Sequence, residues 1–324
     1  MRHRLQLTFA PFLAAAILLT GNAAVAAQSY PTHPVRIIVP FGVGGSLSVL
    51  SLAVGKELGD KWGYQPVVDP RPGAGGNIGA EAVSRSQPDG YTLMLTTQSL
   101  AANATLTPTT AFDPARSFEP VILVGSGQNI LVVPGASPFH SITELVDYAK
   151  QHPGELNAAS VGIGSTSHLA TELFKSVAGI DAQLIPYNGA GPASTDVIAG
   201  RLSFWVTTLG SVLPHIKNGQ MRGLAISGDH RAAALPDVPT FAEVGYPRFK
   251  ANAWFAIFAP AGTPKEIIRQ VNADVNQALR VKEVQDQFAA LSIDPVGGKP
   301  DDLRILLHDE IETWAQLFKG TTTK

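Results

Sequence analysis

The sequence predicts an α/β protein built as two lobes, each a sheet of largely parallel strands flanked by helices, joined by a hinge. Three observations point there. Short apolar, β-branched runs alternate with helical patterns of about ten to fifteen residues, the rhythm of βαβ units. That rhythm breaks once, over a longer segment after Thr97, and then resumes. Behind its N-terminal leader the chain keeps roughly 300 residues, enough for two domains of about 100–200 residues each.

Taken in order, Val35-Arg-Ile-Ile-Val-Pro-Phe41 reads as a buried strand ending at Gly42, with a helix from about Ser46 to Leu58. Gln65–Asp69 is a second strand, and Arg71-Pro-Gly-Ala-Gly-Gly76 turns the chain into a helix that runs to about Ser84. Tyr91–Thr97 is a third strand. The second unit comprises strand Ile130–Val133, helix Ile142–His152, strand Leu156–Ser160, helix Ser165–Val177, strand Gln183–Pro186, helix Ala193–Ala199 and strand Leu202–Val206. The last stretch, strand Trp254–Phe258 with helices Pro264–Leu279 and Asp301–Phe318, has no partner sheet of its own and is expected to return to the first lobe. Residues 27–126 and 250–324 then form lobe 1 and residues 127–249 lobe 2, with crossings near 125–130 and 225–252.

Residues 1–26 have the pattern of a cleaved export signal: Arg2, His3 and Arg4, an apolar run from Phe9 to Leu19, and Ala24-Val25-Ala26 as a small-residue cleavage site. The run is shorter than the ~20 residues a membrane span requires. The protein is therefore expected in the periplasm. A net charge of −2 without a Lys/Arg cluster argues against nucleic acid as a partner. The absence of cysteine removes disulfides, thiolate nucleophiles and cysteine–zinc sites together.

In open α/β sheets ligands bind outside the carboxyl ends of the strands, so the loops after the strands are the candidates. Pro40-Phe-Gly-Val-Gly-Gly-Ser46 joins a strand to a helix, and its glycines let amides approach an anion that the helix dipole favours. Ser160-Val-Gly-Ile-Gly-Ser-Thr166 repeats the arrangement in the second lobe. Taken alone, either loop reads more readily as a tight turn. The dinucleotide fingerprint is incomplete, because Ser167 holds its third glycine position and Asp181 precedes its strand. Phosphate-loop, His-Glu-x-x-His and Gly-x-Ser-x-Gly signatures are missing as well. His168 opens a helix and suits either a ligand contact or a hydrogen bond within its turn; one histidine is a poor metal site. Arg71–Gly76 reads as a structural turn.

Six stretches form a recognisable set: Tyr30-Pro-x-x-Pro34 through Phe41-x-x-Gly44-Gly45; Arg71-Pro-Gly-Ala-Gly-Gly76-x-Ile-Gly79; Pro88-Asp-Gly-Tyr-Thr-Leu93; Ser160-x-Gly-x-Gly164-x-x-x-His168-Leu; Leu235-Pro-Asp-Val-Pro-Thr240-x-x-Glu243-x-Gly245; and Ala259-Pro-Ala-Gly-Thr-Pro264. With them the chain resembles the Bug-type extracytoplasmic receptors, the solute-binding proteins of tripartite tricarboxylate transporters. The resemblance implies two Rossmann-like lobes of the type II-like periplasmic binding protein architecture. It also implies a monomer without catalytic activity, metal or cofactor, which holds a small organic anion and serves membrane permease subunits. Carried over, it points to Phe41, Val43, Gly44, Gly45 and Ser46 in the first lobe, to Gly164, Ser165, Thr166 and His168 in the second, and to Thr97 and Asn103 after the third strand.

Two departures bear on the ligand. Gly44-Gly45-Ser46-Leu47-Ser48 lacks the aspartate that usually follows the glycine pair, leaving Ser48, and Phe204-Trp-Val-Thr207 lacks another, leaving Thr207. Without these carboxylates the site is expected to prefer a dicarboxylate, including an aromatic one stacked near Trp205 or Phe41, over an amino acid or a nicotinamide-like ligand; Trp205 reads equally as a buried strand residue facing away. Three other readings remain: a receptor feeding a two-component sensor, a hydrolase using His168 with Ser165 or Ser167, and an interaction-only protein, which would not need two glycine-rich helix starts aimed into one cleft.

Overall fold

The strands are short because glycine-rich loops end them and apolar residues fill them. A computed structural model describes residues 30–42, 45–107, 111–162, 164–187 and 189–319. The leader, Val43 and Gly44 lie outside these. In chain order the elements begin with β1 (Arg36–Val39), α1 (Ser46–Trp62), β2 (Val67–Pro70), α2 (Asn77–Ser84), β3 (Thr92–Thr97), α3 (Ser99–Leu106), β4 (Phe118–Gly127) and β5 (Asn129–Pro134). Next come α4 (Ile142–Gln151), β6 (Asn157–Ser160), α5 (Thr166–Ala178), β7 (Gln183–Pro186), α6 (Ala190–Ile198), β8 (Phe204–Thr208), α7 (Leu209–Lys217) and β9 (Met221–Ile226). β10 (Ala253–Pro260), α8 (Lys265–Ala278), α9 (Lys282–Ala290), β11 (Ile293–Gly297) and α10 (Pro300–Leu317) complete the chain.

The strands form two sheets, ordered β11-β4-β10-β3-β1-β2 and β7-β6-β8-β5-β9. Both belong to one compact unit beginning at Pro31. Each sheet is parallel where βαβ units build it, β1 with β2 and β3, β6 with β7 and β8. Each turns antiparallel where the chain crosses between sheets. β10 runs against β3 and β4, and β5 runs against β8 and β9. The sequence reading missed α3, β4, α7, β9, α9 and β11. β4 carries Pro120, α7 carries Pro214, and β11 is a half-exposed edge strand with Pro295, so their local signals are weak.

Alternation across β5 divides the second sheet's packing. Leu131 and Val133 face one cluster with Phe174, Phe204 and Phe241, while Ile130 and Val132 face another with Val197, Trp205 and Leu209. The first sheet packs Ile38, Met94, Trp254 and Phe258 against Leu303, Trp314 and Phe318 of the C-terminal segment.

The crossings lie side by side. Gln128 alone separates β4 from β5, and its Nε2 donates to the carbonyls of Ser227 (2.8 Å) and His230 (2.7 Å). Ser227 Oγ accepts from the Asn129 amide at 2.8 Å and donates to Asn252 Oδ1 at 2.8 Å. Asn129 Nδ2 donates to the Ala251 carbonyl at 2.7 Å. These side chains bind the two crossing segments together. Among the described residues no helix is long and apolar enough to cross a membrane.

Candidate functional site

Where the two sheets' carboxyl ends meet lies a cavity of about 340 Å³. The first sheet contributes Phe41 and Gly42 after β1, Gly45, Ser46 and Leu47 at the start of α1, Thr97 at the end of β3, and Phe255 of β10. The second contributes Val161, then Ser165–Ser167 at the start of α5, Gly189–Pro192 at the start of α6, and Thr207, Thr208 and Ser211 where β8 passes into α7. Four helix N-termini therefore converge on one space, and none of the described residues lining it is ionisable.

The first amides of a helix have no partner inside it and carry its positive end. In α1, α6 and α7 the capping residues Gly45, Gly189 and Thr208 make no side-chain cap bond. α5 differs, because Ser165 Oγ accepts from the His168 amide at 3.2 Å. Ser46 Oγ is buried without a hydrogen-bond partner. Such a wall offers donors to an anion and apolar surface from Phe41, Leu47, Val161 and Phe255 to its carbon body.

Of the expected residues, Phe41, Gly45, Ser46, Thr97, Ser165, Thr166 and Thr207 stand on this wall. Val43 and Gly44 lie outside the described residues. Four do not stand on it. Ser48 is two residues beyond Ser46 on α1, a spacing that turns its side chain to another face of the helix. Gly164 precedes the α5 cap and packs against Asn103. Asn103 is 2% exposed and donates from Nδ2 to the Gly75 carbonyl (3.0 Å) and to Asn77 Oδ1 (2.9 Å), so it secures the glycine turn. His168 is buried, with Nδ1 accepting from the Gly164 amide at 3.2 Å and its ring stacked on Phe318 at a centroid distance of 6.3 Å. Burial holds its pKa below the ordinary value, chiefly by desolvation, and keeps the ring neutral.

Trp205 takes the buried one of its two readings. It is 0% exposed in the core of the second sheet, and its Nε1 donates to Ser167 Oγ at 2.7 Å. No ligand can stack on it there, which leaves Phe41 and Phe255 as the aromatic surfaces of the cavity. Of the groups named for a hydrolase, Ser165 Oγ caps its helix, Ser167 Oγ accepts from Trp205, and His168 Nδ1 accepts from backbone. Among the described residues no three His, Asp or Glu side chains group as a metal site would require.

Arg71–Gly76 has a supporting part. Gly76, at φ +99°, lies beneath the Phe41 ring, and a Cβ there would stand 3.2 Å from its ring carbon. Missed from the sequence were Gly189–Pro192, Ser211 and Phe255. Their signal is partial: the loop after strand Gln183–Pro186 is among the candidate loops, and Gly189-Ala-Gly191 repeats the glycine spacing of the other two.

Comparison with known proteins supplies the family. The model of the tripartite tricarboxylate transporter family receptor, TctC, matches residues 51–322. The chain belongs to that family. BugT of Bordetella pertussis is similar to this TctC-family chain, with 40% identity over 311 residues that cover 95% of each. Among solved structures, an R. palustris protein with adipate is 34% identical with a TM-score of 0.84, covering 90% of this chain and 97% of that one. MatC of Rhodopseudomonas palustris with bound malate is 29% identical, also with a TM-score of 0.84, covering 89% and 99%. The fold of this TctC-family receptor is that of periplasmic binding proteins, and the family's members are receptors for transport.

Proposed function

We propose that this chain is a periplasmic receptor, exported by a cleaved leader, that closes its lobes over a small carboxylate and presents it to the permease subunits of a tripartite tricarboxylate transporter. Lobe 1 comprises residues 27–126 and 250–324, lobe 2 residues 127–249, and the monomer is the working unit. Ligand contacts that need both lobes exist only when the cleft shuts, so binding free energy shifts the open–closed population.

The observation that carries this reading is the convergence of four helix N-termini on a cavity lined, among the described residues, by no ionisable side chain. Each helix end favours a negative charge by roughly 0.3–1 kcal/mol, and up to ~2 kcal/mol when partly buried. An ammonium meets the same positive sign and is repelled, and among the described residues no carboxylate stands on the wall to pair with it. A dicarboxylate without an amino group is therefore the favoured ligand, and an aromatic acid can lie against Phe41 or Phe255. The adipate and malate of the two similar structures are ligands of this class.

Calorimetric titration of the purified protein with malate, adipate, an aromatic dicarboxylate and aspartate tests the reading. Binding of the dicarboxylates with weaker binding of aspartate supports it. Tighter binding of aspartate, or no binding of any acid, rejects it.

A further inference from the structure

A second cavity, of about 380 Å³, adjoins the first and shares Gly45, Ser46, Ala190, Gly191 and Ser211 with it. Beyond that shared wall it is lined by Val49 of α1, Ser194 and Thr195 of α6, His215 of α7, and Leu291. The spacing is regular. Ala190 and Gly191 are followed four residues on by Ser194 and Thr195, and Ser211 by His215, so the same helix faces continue outward. The second cavity thus lies about one helical turn, ~5.4 Å, further along these helices. The inner chamber is walled by helix starts that offer amides; the outer one is walled by side chains from the second turns.

His215 is the one ionisable group among the described residues lining either cavity. Its Nδ1 lies 2.9 Å from Gln220 Oε1. The Gln220 amide carries both a donor and an acceptor; turned so that its NH2 donates to Nδ1, it fixes the tautomer in which Nε2 carries the proton and donates to a ligand oxygen. At the junction of the chambers stands Ser46, whose buried Oγ has no partner. A ligand reaching from one chamber to the other would pass it and supply one.

We propose that the outer cavity is a subsite for the far end of an extended ligand, and that His215 selects a second acidic group held there. The ligand class is an acid whose second carboxylate is separated from the first by a chain of several carbons. This rests on the carboxylate reading of the inner cavity and adds a length requirement to it.

The test is calorimetry of the native protein, His215→Ala and His215→Gln with straight-chain dicarboxylates from malonate to suberate, each beside the monocarboxylate of equal length. Loss of a charge-assisted hydrogen bond predicts about tenfold or more weaker binding of the long dicarboxylates by His215→Ala. Short dicarboxylates and monocarboxylates should bind within about twofold of the native protein, and His215→Gln, which keeps a donor, should recover part of the loss. Acids that bind with an unchanged length preference in His215→Ala, or with equal losses at every length, overturn the subsite and leave the carboxylate reading standing. Failure of the native protein to bind any member overturns both.

Discussion

Gly210, at the start of α7, lies so close to Leu291 that a Cβ added to it would overlap the Leu291 carbonyl group and stand 2.9 Å from its carbonyl carbon. The two residues belong to opposite sheets' packing, and the obstruction is backbone, which cannot swing aside. Gly164 makes a comparable approach to the Asn103 carboxamide across the cleft. Missing side chains thus set how near the lobes come at two places around the cavity.

Gly210→Ala should therefore hold the lobes apart. Gly210 has no left-handed backbone angle, so alanine adds no strain of its own, unlike Gly164 at φ +78°. We expect the free protein to melt near the native temperature, ligand affinity to fall about tenfold (~1.4 kcal/mol), and small-angle scattering to show a wider molecule in the presence of ligand. Native affinity in this variant would show that the contact does not limit closure.

Ser46→Ala separates a ligand donor from a structural hydroxyl. The orphan Oγ contributes nothing to the free protein, so thermal stability should hold or rise slightly. Carboxylate binding should weaken by about 1.5 kcal/mol, roughly tenfold in Kd. A drop in stability with unchanged affinity would contradict the placement of Ser46 on the ligand.

Trp205→Phe distinguishes core from cavity. It removes the bond to Ser167 Oγ inside the second sheet's packing and should cost about 1–3 kcal/mol, read as a lower denaturation midpoint. The relative affinities for aromatic and aliphatic acids should not change. A selective loss of aromatic ligands would place the indole where the structure does not.

Stability should depend on pH through His168. Burial lowers its pKa in the folded state below the ordinary 6.5, with Glu172 opposing and Lys175 reinforcing the shift. The unfolded chain then takes up the proton at a higher pH than the native one. This contribution is present above about pH 6.5 and is lost as pH falls from there towards the lowered native value. Glu310 acts in the opposite sense: burial raises its carboxyl above the ordinary 4.5, although Trp314 Nε1 donates to it, so protonation favours the folded state as pH falls. Melting curves between neutral pH and about pH 5 should show a shallower acid decline in His168→Gln, whose amide oxygen can still accept from Gly164, and a steeper one in Glu310→Gln.

Much of the α/β rhythm was legible because it is local. The strand at Gln183–Pro186 and the helix starts at Ser46 and Ser165 follow from apolar runs ending in glycine and from a capping serine, all within a few residues. The antiparallel strands were less so. β4 and β11 gain their identity from partners far along the chain, as in the pairing of Ile293 with Gly127.

The cavity divides in the same way. Phe41, Ser46 and Ser165 announce themselves by glycine-rich spacing, whereas Phe255 and Ser211 belong to elements with no such mark and reach the wall only through folding. His168, Asn103 and Trp205 show the converse: their types suit a site, but packing turns each towards another buried partner. By itself the sequence determined which backbone segments start helices at the mouths of strands, because capping and glycine geometry act over neighbouring residues. Only the tertiary structure decided which side chains face the shared space, since that depends on how two sheets, built from distant parts of the chain, lie across the cleft.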